Sequence, residues 1–282
     1  MVGEALPYAP INIETPKFGC SSFGITTKDG KVLMGRNYDF KTDTSAIMVR
    51  CEPKDGYKSI AFGALSNIHD NEPDAGIVER LKALTAPFIC LDGINEKGVS
   101  ISVLTLDSDP TQQTTSKHDI FTTLAIRLVL DRAATTQEAV DLLRSYDMHA
   151  NSGRDYHFYI NDASCDGRVV EWDCESDTRE LTDTPTRTTT NFFITHKDKV
   201  TSDGKNGIYG HGKDRYDKIE KLLDANEGNY TEQNRMGCFA GSTAAPQGGR
   251  GNEQHAVVGC VQQHRLHGRR GNSSQLGRQD GV

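Results

Sequence analysis

The sequence predicts an α+β fold, with helices packed on antiparallel sheet. Three observations carry this: hairpin signals recur along the chain, a helix pair interrupts them, and no strand-helix-strand unit repeats. The first hairpin joins extended runs Cys20 to Thr27 and Lys31 to Arg36 through Lys28-Asp29-Gly30, where an Asp-Gly pair is a strong turn signal. A second joins Phe88 to Leu91 and Val99 to Leu106 around Asn95-Glu96-Lys97-Gly98, and a third joins Tyr156 to Ile160 and Arg168 to Trp172 around Asp166-Gly167. The first helix is expected over Ile120 to Arg132, where Leu124, Ile126, Leu128, Val129 and Leu130 give a broad apolar face. The second opens with Thr135-Thr136-Gln137-Glu138, a capping-box pattern, and continues through Ala139, Val140, Leu142, Leu143 and Tyr146 at helical spacing.

Composition narrows the function classes. A formal net charge of -7 and a 35% hydrophobic content describe a mildly acidic globular protein, which argues against nucleic acid as the main partner. No stretch approaches the roughly 18 consecutive apolar residues of a membrane span. Residues 1–19 carry three prolines but neither a basic start nor an apolar signal core, so they read as an irregular leader and the chain as cytoplasmic, without a membrane partner. Seven cysteines, an odd count without short paired spacings, point to reduced thiols, one of them a candidate nucleophile. The main domain is expected over residues 20–235. Beyond it, residues 236–282 are atypical: from Ala240 onward there is no Phe, Tyr or Trp, and such a segment is not expected to contribute a strand. Its arginines lack the aromatic neighbours on which bases stack.

The chemistry concentrates at the first hairpin. With the turn centred on Asp29, residues whose numbers sum to about 58 face each other, so Cys20 lies opposite Tyr38, with Arg36 and Asp39 close by. If Cys20 became the first residue, its α-amine, of pKa about 7.7 to 8, would be a usable general base beside the thiol. A guanidinium near the sulfur favours the thiolate, and a carboxylate orients the α-ammonium.

Gly35-Arg36-Asn37-Tyr38-Asp39-Phe40, together with Cys20 and Lys28-Asp29-Gly30, resembles the choloylglycine hydrolase and penicillin V acylase family. The likeness continues through Asp92 to Gly98, Tyr156-His157-Phe158, Val169-Val170-Glu171, Thr190-Asn191 and Arg215-Tyr216, and spans about Gly19 to Leu223. That family consists of linear-amide hydrolases of the N-terminal nucleophile class. The resemblance implies a four-layer αββα sandwich, a small-molecule amide substrate of bile-salt, penicillin or acyl-homoserine-lactone type, no cofactor, and a subunit number that is often four. It implies Cys20 as nucleophile, Arg36 and Asp39 as its partners, Asn191 in the oxyanion region and Arg215 completing the site. Read alone, Asn191 closes a loop before a strand Phe192 to Thr195, and Arg215 is a charge opening a helix Arg215 to Leu223. Bile salt hydrolases place an asparagine near the position that aligns with Thr105, which makes Thr105 a candidate substrate-binding residue.

The amine exists only after cleavage of the Gly19 to Cys20 bond, as in family members that remove a short prepeptide themselves. A non-catalytic alternative is an inactive relative that binds an amide ligand. The family's usual C-terminal run, with Thr-Gln-Trp-Ser and Val-Tyr-Asn, is replaced here. Codon degeneracy permits that run one base out of frame over Glu253 to Leu276, so a frameshift near Arg235 or Met236 is expected, and resequencing the coding DNA checks it. No metal is required: the histidines form no His-x-x-x-His pair, and Cys51, Cys90, Cys165, Cys174, Cys238 and Cys260 have no zinc-site spacing.

Overall fold

The computed structural model describes residues 19–38, 46–64, 76–150, 153–201, 208–210, 212–230 and 261–263. It opens with the hairpin β1 (Cys20–Thr26) and β2 (Val32–Tyr38), paired with Cys20 opposite Tyr38 and Ser22 opposite Arg36, the register that the turn dictates. Thr27 Oγ1 donates to Asp29 Oδ1 at 2.6 Å, and Gly30 takes the left-handed φ of 78° that closes the turn. β3 (Ala46–Cys51), β4 (Ser59–Ala64), α1 (Ile77–Lys82), β5 (Asp92–Asn95), β6 (Ser100–Leu106) and β7 (His118–Phe121) follow. Then come α2 (Thr122–Arg132), α3 (Thr136–Arg144), β8 (Tyr146–His149), β9 (Asp155–Asn161), β10 (Gly167–Trp172), β11 (Leu181–Pro185) and β12 (Thr188–Thr189). The last elements are β13 (Val200–Thr201), β14 (Ile208–Tyr209), α4 (Lys213–Ala225) and β15 (Val261–Gln263).

Two antiparallel sheets result, one ordered β12-β1-β2-β15 and one ordered β11-β10-β9-β6-β5-β4-β3. Strand parity stacks them. Ile101, Val103, Phe158, Ile160, Val170 and Trp172 pack under Ala125, Ile126, Val129, Leu130, Val140 and Leu143 of α2 and α3. The alternate residues Leu104, Tyr159 and Val169 meet Cys20 and Met34 from the other sheet. Phe23, Ile25 and Leu33, on that sheet's outer face, pack against Ile219 and Leu223 of α4. The order is helix, sheet, sheet, helix: the expected αββα sandwich.

Several boundaries differ from those read in the sequence. Phe88 ends a 3-10 helix, Ala83–Phe88, that contains Pro87, whose fixed φ and missing N–H disfavour a strand; the hairpin strand starts instead at Asp92. Ile120 and Tyr146 leave their helices to join the short parallel pair β7 and β8, where Ile120 lies opposite Met148. The Thr135 cap forms, with Glu138 N–H donating to Thr135 Oγ1 at 3.1 Å, while the return bond of the box shifts by one residue: Glu138 Oε2 accepts from the N–H of Ala134 at 2.8 Å. The atypical tail does contribute a strand, since Val261–Gln263 pairs with β2. The remainder of the tail and the leader up to residue 18 lie outside the described residues. Among the described residues no helix is long and apolar enough to cross a membrane.

Candidate active site

The hairpin register turns Cys20 and Arg36 toward the seven-stranded sheet and Ser21 toward α4. Both residues sit at the end of a ladder that a larger sheet covers, so each is only 1% exposed. Phe23 can lie flat across β2 because its neighbour there is Gly35, where a Cβ would stand 2.4 Å from the ring.

Three polar atoms of Cys20 are held by side chains from three parts of the chain. Its N–H donates to Asn191 Oδ1 at 2.7 Å. Its carbonyl accepts from Arg215 Nη1 at 2.6 Å, and the same Nη1 reaches Ser21 Oγ at 2.9 Å. Its Sγ lies 4.0 Å from Arg36 Nη2. Arg215 Nη2 also donates to Asn191 Oδ1 at 2.7 Å, so the guanidinium bridges the backbone of Cys20 and the side chain that holds its nitrogen. Arg215 reaches in from the first turn of α4 past Gly212, at φ 104°, where a Cβ would stand 2.5 Å from Nη2. Arg215 is therefore buried and paired, not a solvated helix charge.

Arg36 is fixed from several directions. Nη1 donates to Asn37 O and Nη2 to Val103 O, each at 2.7 Å, while Nε lies 3.0 Å from Asp92 Oδ2 and the guanidinium carbon stands 4.8 Å above the Tyr38 ring. Asp92 is 2% exposed, and burial raises its carboxyl to about 6, partly opposed by the Arg36 charge. Burial likewise pushes the Tyr38 phenol well above its usual range. Sequence reasoning missed Asp92 as a site residue, although it opens the Asp92 to Gly98 block; its partner lies across the gap between the sheets, which no local spacing reports. The expected partner Asp39 lies outside the described residues.

Asn191 belongs to a segment shaped by a buried carboxylate. Glu171 of β10 accepts the N–H groups of Ile194 and Thr195 at 2.8 Å each and the Thr195 hydroxyl at 2.8 Å. Those amides are thereby withheld from a ladder, and the expected strand Phe192 to Thr195 does not form; the nearest strand is β12. Fully buried His157 lies 2.7 Å from Glu171 Oε1 through Nδ1 and 2.8 Å from Thr190 O through Nε2, so it ties this segment to β9 next to Asn191. Asn191 Nδ2 donates to Thr105 O at 2.8 Å and Thr105 Oγ1 at 3.1 Å, which brings Thr105 beside the same group. Cys20, Arg36, Asn191, Arg215 and Thr105 thus converge.

Among the described residues Cys20, Cys51, Cys90, Cys165 and Cys174 form no disulfide. Burial pushes Cys90 up to about 12, which makes it inert. The donor atoms of the adjacent Asp173 and Cys174 and of the distant His196 lie within 4.8 Å of one another where β10 ends.

A family model described as acyl-coenzyme A:6-aminopenicillanic acid acyl-transferase matches residues 25–237. Among solved structures, a variant of conjugated bile acid hydrolase from Clostridium perfringens aligns with TM-score 0.56 at 14% identity, covering 86% of this chain and 86% of that one. A second variant of the same hydrolase gives 0.54 at 14% identity over 84% and 82%. Penicillin V acylase from Agrobacterium tumefaciens gives 0.56 at 17% identity over 83% and 75%. The overlap of whole chains agrees with the sheet-on-sheet order described above.

Proposed function

The chain belongs to the acyl-coenzyme A:6-aminopenicillanic acid acyl-transferase family, and on that premise we propose that it hydrolyses a linear amide with Cys20 as the nucleophile. The observation that carries this reading is the enclosure of Cys20: Asn191 on its nitrogen, Arg215 on its carbonyl and Arg36 beside its sulfur. A structural cysteine needs none of these partners.

Cleavage of the Gly19 to Cys20 bond turns the nitrogen held by Asn191 Oδ1 into an amine. The neutral amine takes the thiol proton, and the Arg36 guanidinium stabilises the thiolate that results. Sulfur attacks the amide carbon and the carbonyl oxygen becomes an oxyanion. Asn191 Nδ2 is the side-chain donor at hand, with substrate oxygen displacing Thr105 Oγ1 from it; such a donor contributes about 3 to 4 kcal/mol in a dry site. The ammonium of Cys20 then gives its proton to the leaving nitrogen, the amine product departs and a thioester remains. Water, deprotonated by the same α-amine, releases the acid and restores the thiol. Arg215 and Asn191 position the amine.

Conjugated bile salts and penicillin V are the first substrate classes to try, since proteins named for them share the fold. The family description favours a second reading of the last step, in which an amine and not water takes the acyl group. The test is a panel of glycine- and taurine-conjugated bile acids, penicillin V and acyl-homoserine lactones, with and without an added amine acceptor. Turnover of at least one substrate is expected, and its loss in Cys20→Ala. Activity that survives Cys20→Ala rejects the mechanism. Ligand binding without turnover, in protein whose Cys20 amine is free, supports the inactive-relative alternative.

A further inference from the structure

We propose that Asp173, Cys174 and His196 form a zinc(II) site at the end of β10, separate from the nucleophile and independent of the reading above. Sulfur, nitrogen and oxygen donors from these residues lie within 4.8 Å of one another. This mixed set of thiolate, imidazole and carboxylate is one that zinc accepts. A tetrahedral ion with bonds of about 2.0 to 2.3 Å needs its donors about 3.3 to 3.6 Å apart, so the donors farthest apart close by at most about an ångström while the Asp173 and His196 pair, at 2.6 Å, opens to admit the ion.

The backbone under the site is already fixed. Asp173 N–H donates to Glu180 O at 2.9 Å, and Asp173 Oδ1 accepts from Glu175 N at 2.8 Å, which closes the turn carrying two of the ligands. On the other side, His196 N–H donates to Phe193 O at 3.3 Å and Lys199 N–H to His196 O at 2.8 Å. His196 Nε2 and Asp173 Oδ1 share a hydrogen bond of 2.6 Å, and the ion takes the place of that proton between them. A water supplies the fourth position, while Glu175 Oε2 lies 3.7 Å from His196 Nδ1, the ring nitrogen that faces away from the ion. The neighbouring cations are engaged: Lys199 Nζ bonds Glu175 at 2.5 Å, and Arg179 bonds Asp155 at 3.2 Å. Binding joins the metal to Sγ, to Nε2 and to a carboxylate oxygen of Asp173; the thiol proton leaves to solvent and the neutral imidazole carries its proton on Nδ1. Sequence spacing could not show the set, because His196 is 22 positions beyond Cys174; the carboxylate of Glu171 folds the intervening segment back.

The consequence is local. His196 ends the same segment that presents Asn191, so an ion there clamps the segment to the turn after β10 and stabilises the chain in proportion to metal occupancy. The probe is cobalt(II), titrated into full-length chelator-treated protein carrying Cys20→Ala, so that the nucleophile's thiol is absent. One cobalt per chain is expected, with a thiolate-to-cobalt charge-transfer band and a rise in unfolding temperature; excess zinc abolishes the band and keeps the rise. Cys174→Ser removes the band, and His196→Gln weakens binding at least about tenfold, by analogy with the loss seen when metal-supporting partners are removed. Both changes lie in half-buried surface turns, and circular dichroism checks their folding. Absence of a band, or a band and affinity unchanged in both variants, overturns the proposal.

Discussion

The two faces of the seven-stranded sheet differ sharply. The face under α2 and α3 is built mainly from Val, Ile, Leu, Phe, Ala and Trp, with Arg127 bonded to Ser59 and Asn95 bonded to the carbonyls of Leu130 and Ala133, whereas the face toward the second sheet buries Arg36, Asp92, His157, Glu171 and Asn191. Burying apolar area stabilises at about 25 cal/mol per Å², while each buried charge costs several kcal/mol unless it is paired. The first face therefore carries the fold and the second carries the chemistry, at a stability cost held down by matched partners. The pairing of Arg36 with Asp92 and of His157 with Glu171 is what keeps the second face folded.

The largest effect expected is at Arg36. Arg36→Met leaves Asp92 buried without its cation and destabilises by about 3 to 5 kcal/mol, read as a shifted urea midpoint. Adding Asp92→Leu restores most of that stability but not turnover, which separates the two roles; a double variant as unstable as the single one breaks the comparison. On the other face, Trp172→Ala, which removes the ring packed edge-on against Phe158 at 5.8 Å, costs about 3 to 5 kcal/mol. Its activity per folded molecule stays unchanged.

A pH test comes next. The Asp92 carboxyl is raised from 3.8 to about 6 in the folded chain, so between those values the folded state binds the extra proton. The contribution of this group to stability is full below about 3.8 and is lost as pH rises through about 6, amounting to about 3 kcal/mol. The charged group beside it is Arg36, which opposes the shift. Asp92→Asn is expected to remove this component from unfolding midpoints measured across the window; an unchanged slope contradicts it. The smallest effect is at the α3 cap, where Thr135→Ala costs about 1 kcal/mol and leaves turnover alone, as differential scanning calorimetry would show.

Much of this was legible in the residues. The Asp29-Gly30 turn fixes the register that puts Cys20 opposite Tyr38, and the Thr135 cap sets the start of α3. What remained hidden depends on partners far away in sequence. No local pattern tells that Glu171 will take the amides of Ile194 and Thr195, or that Asp92 will meet Arg36 across two sheets. Convergence of Asn191, Arg215 and Thr105 on Cys20 became an expectation only through family resemblance, because the three residues come from β6, α4 and the loop after β12.

The central claim is that Cys20 acts with a free α-amine, and the intact mass of the catalytically competent protein, alone and during turnover, tests it most directly. The account predicts a chain that begins at Cys20 and gains the mass of the substrate's acyl group, with no such adduct in Cys20→Ala. A fully active protein that still carries Met1 to Gly19 would contradict it.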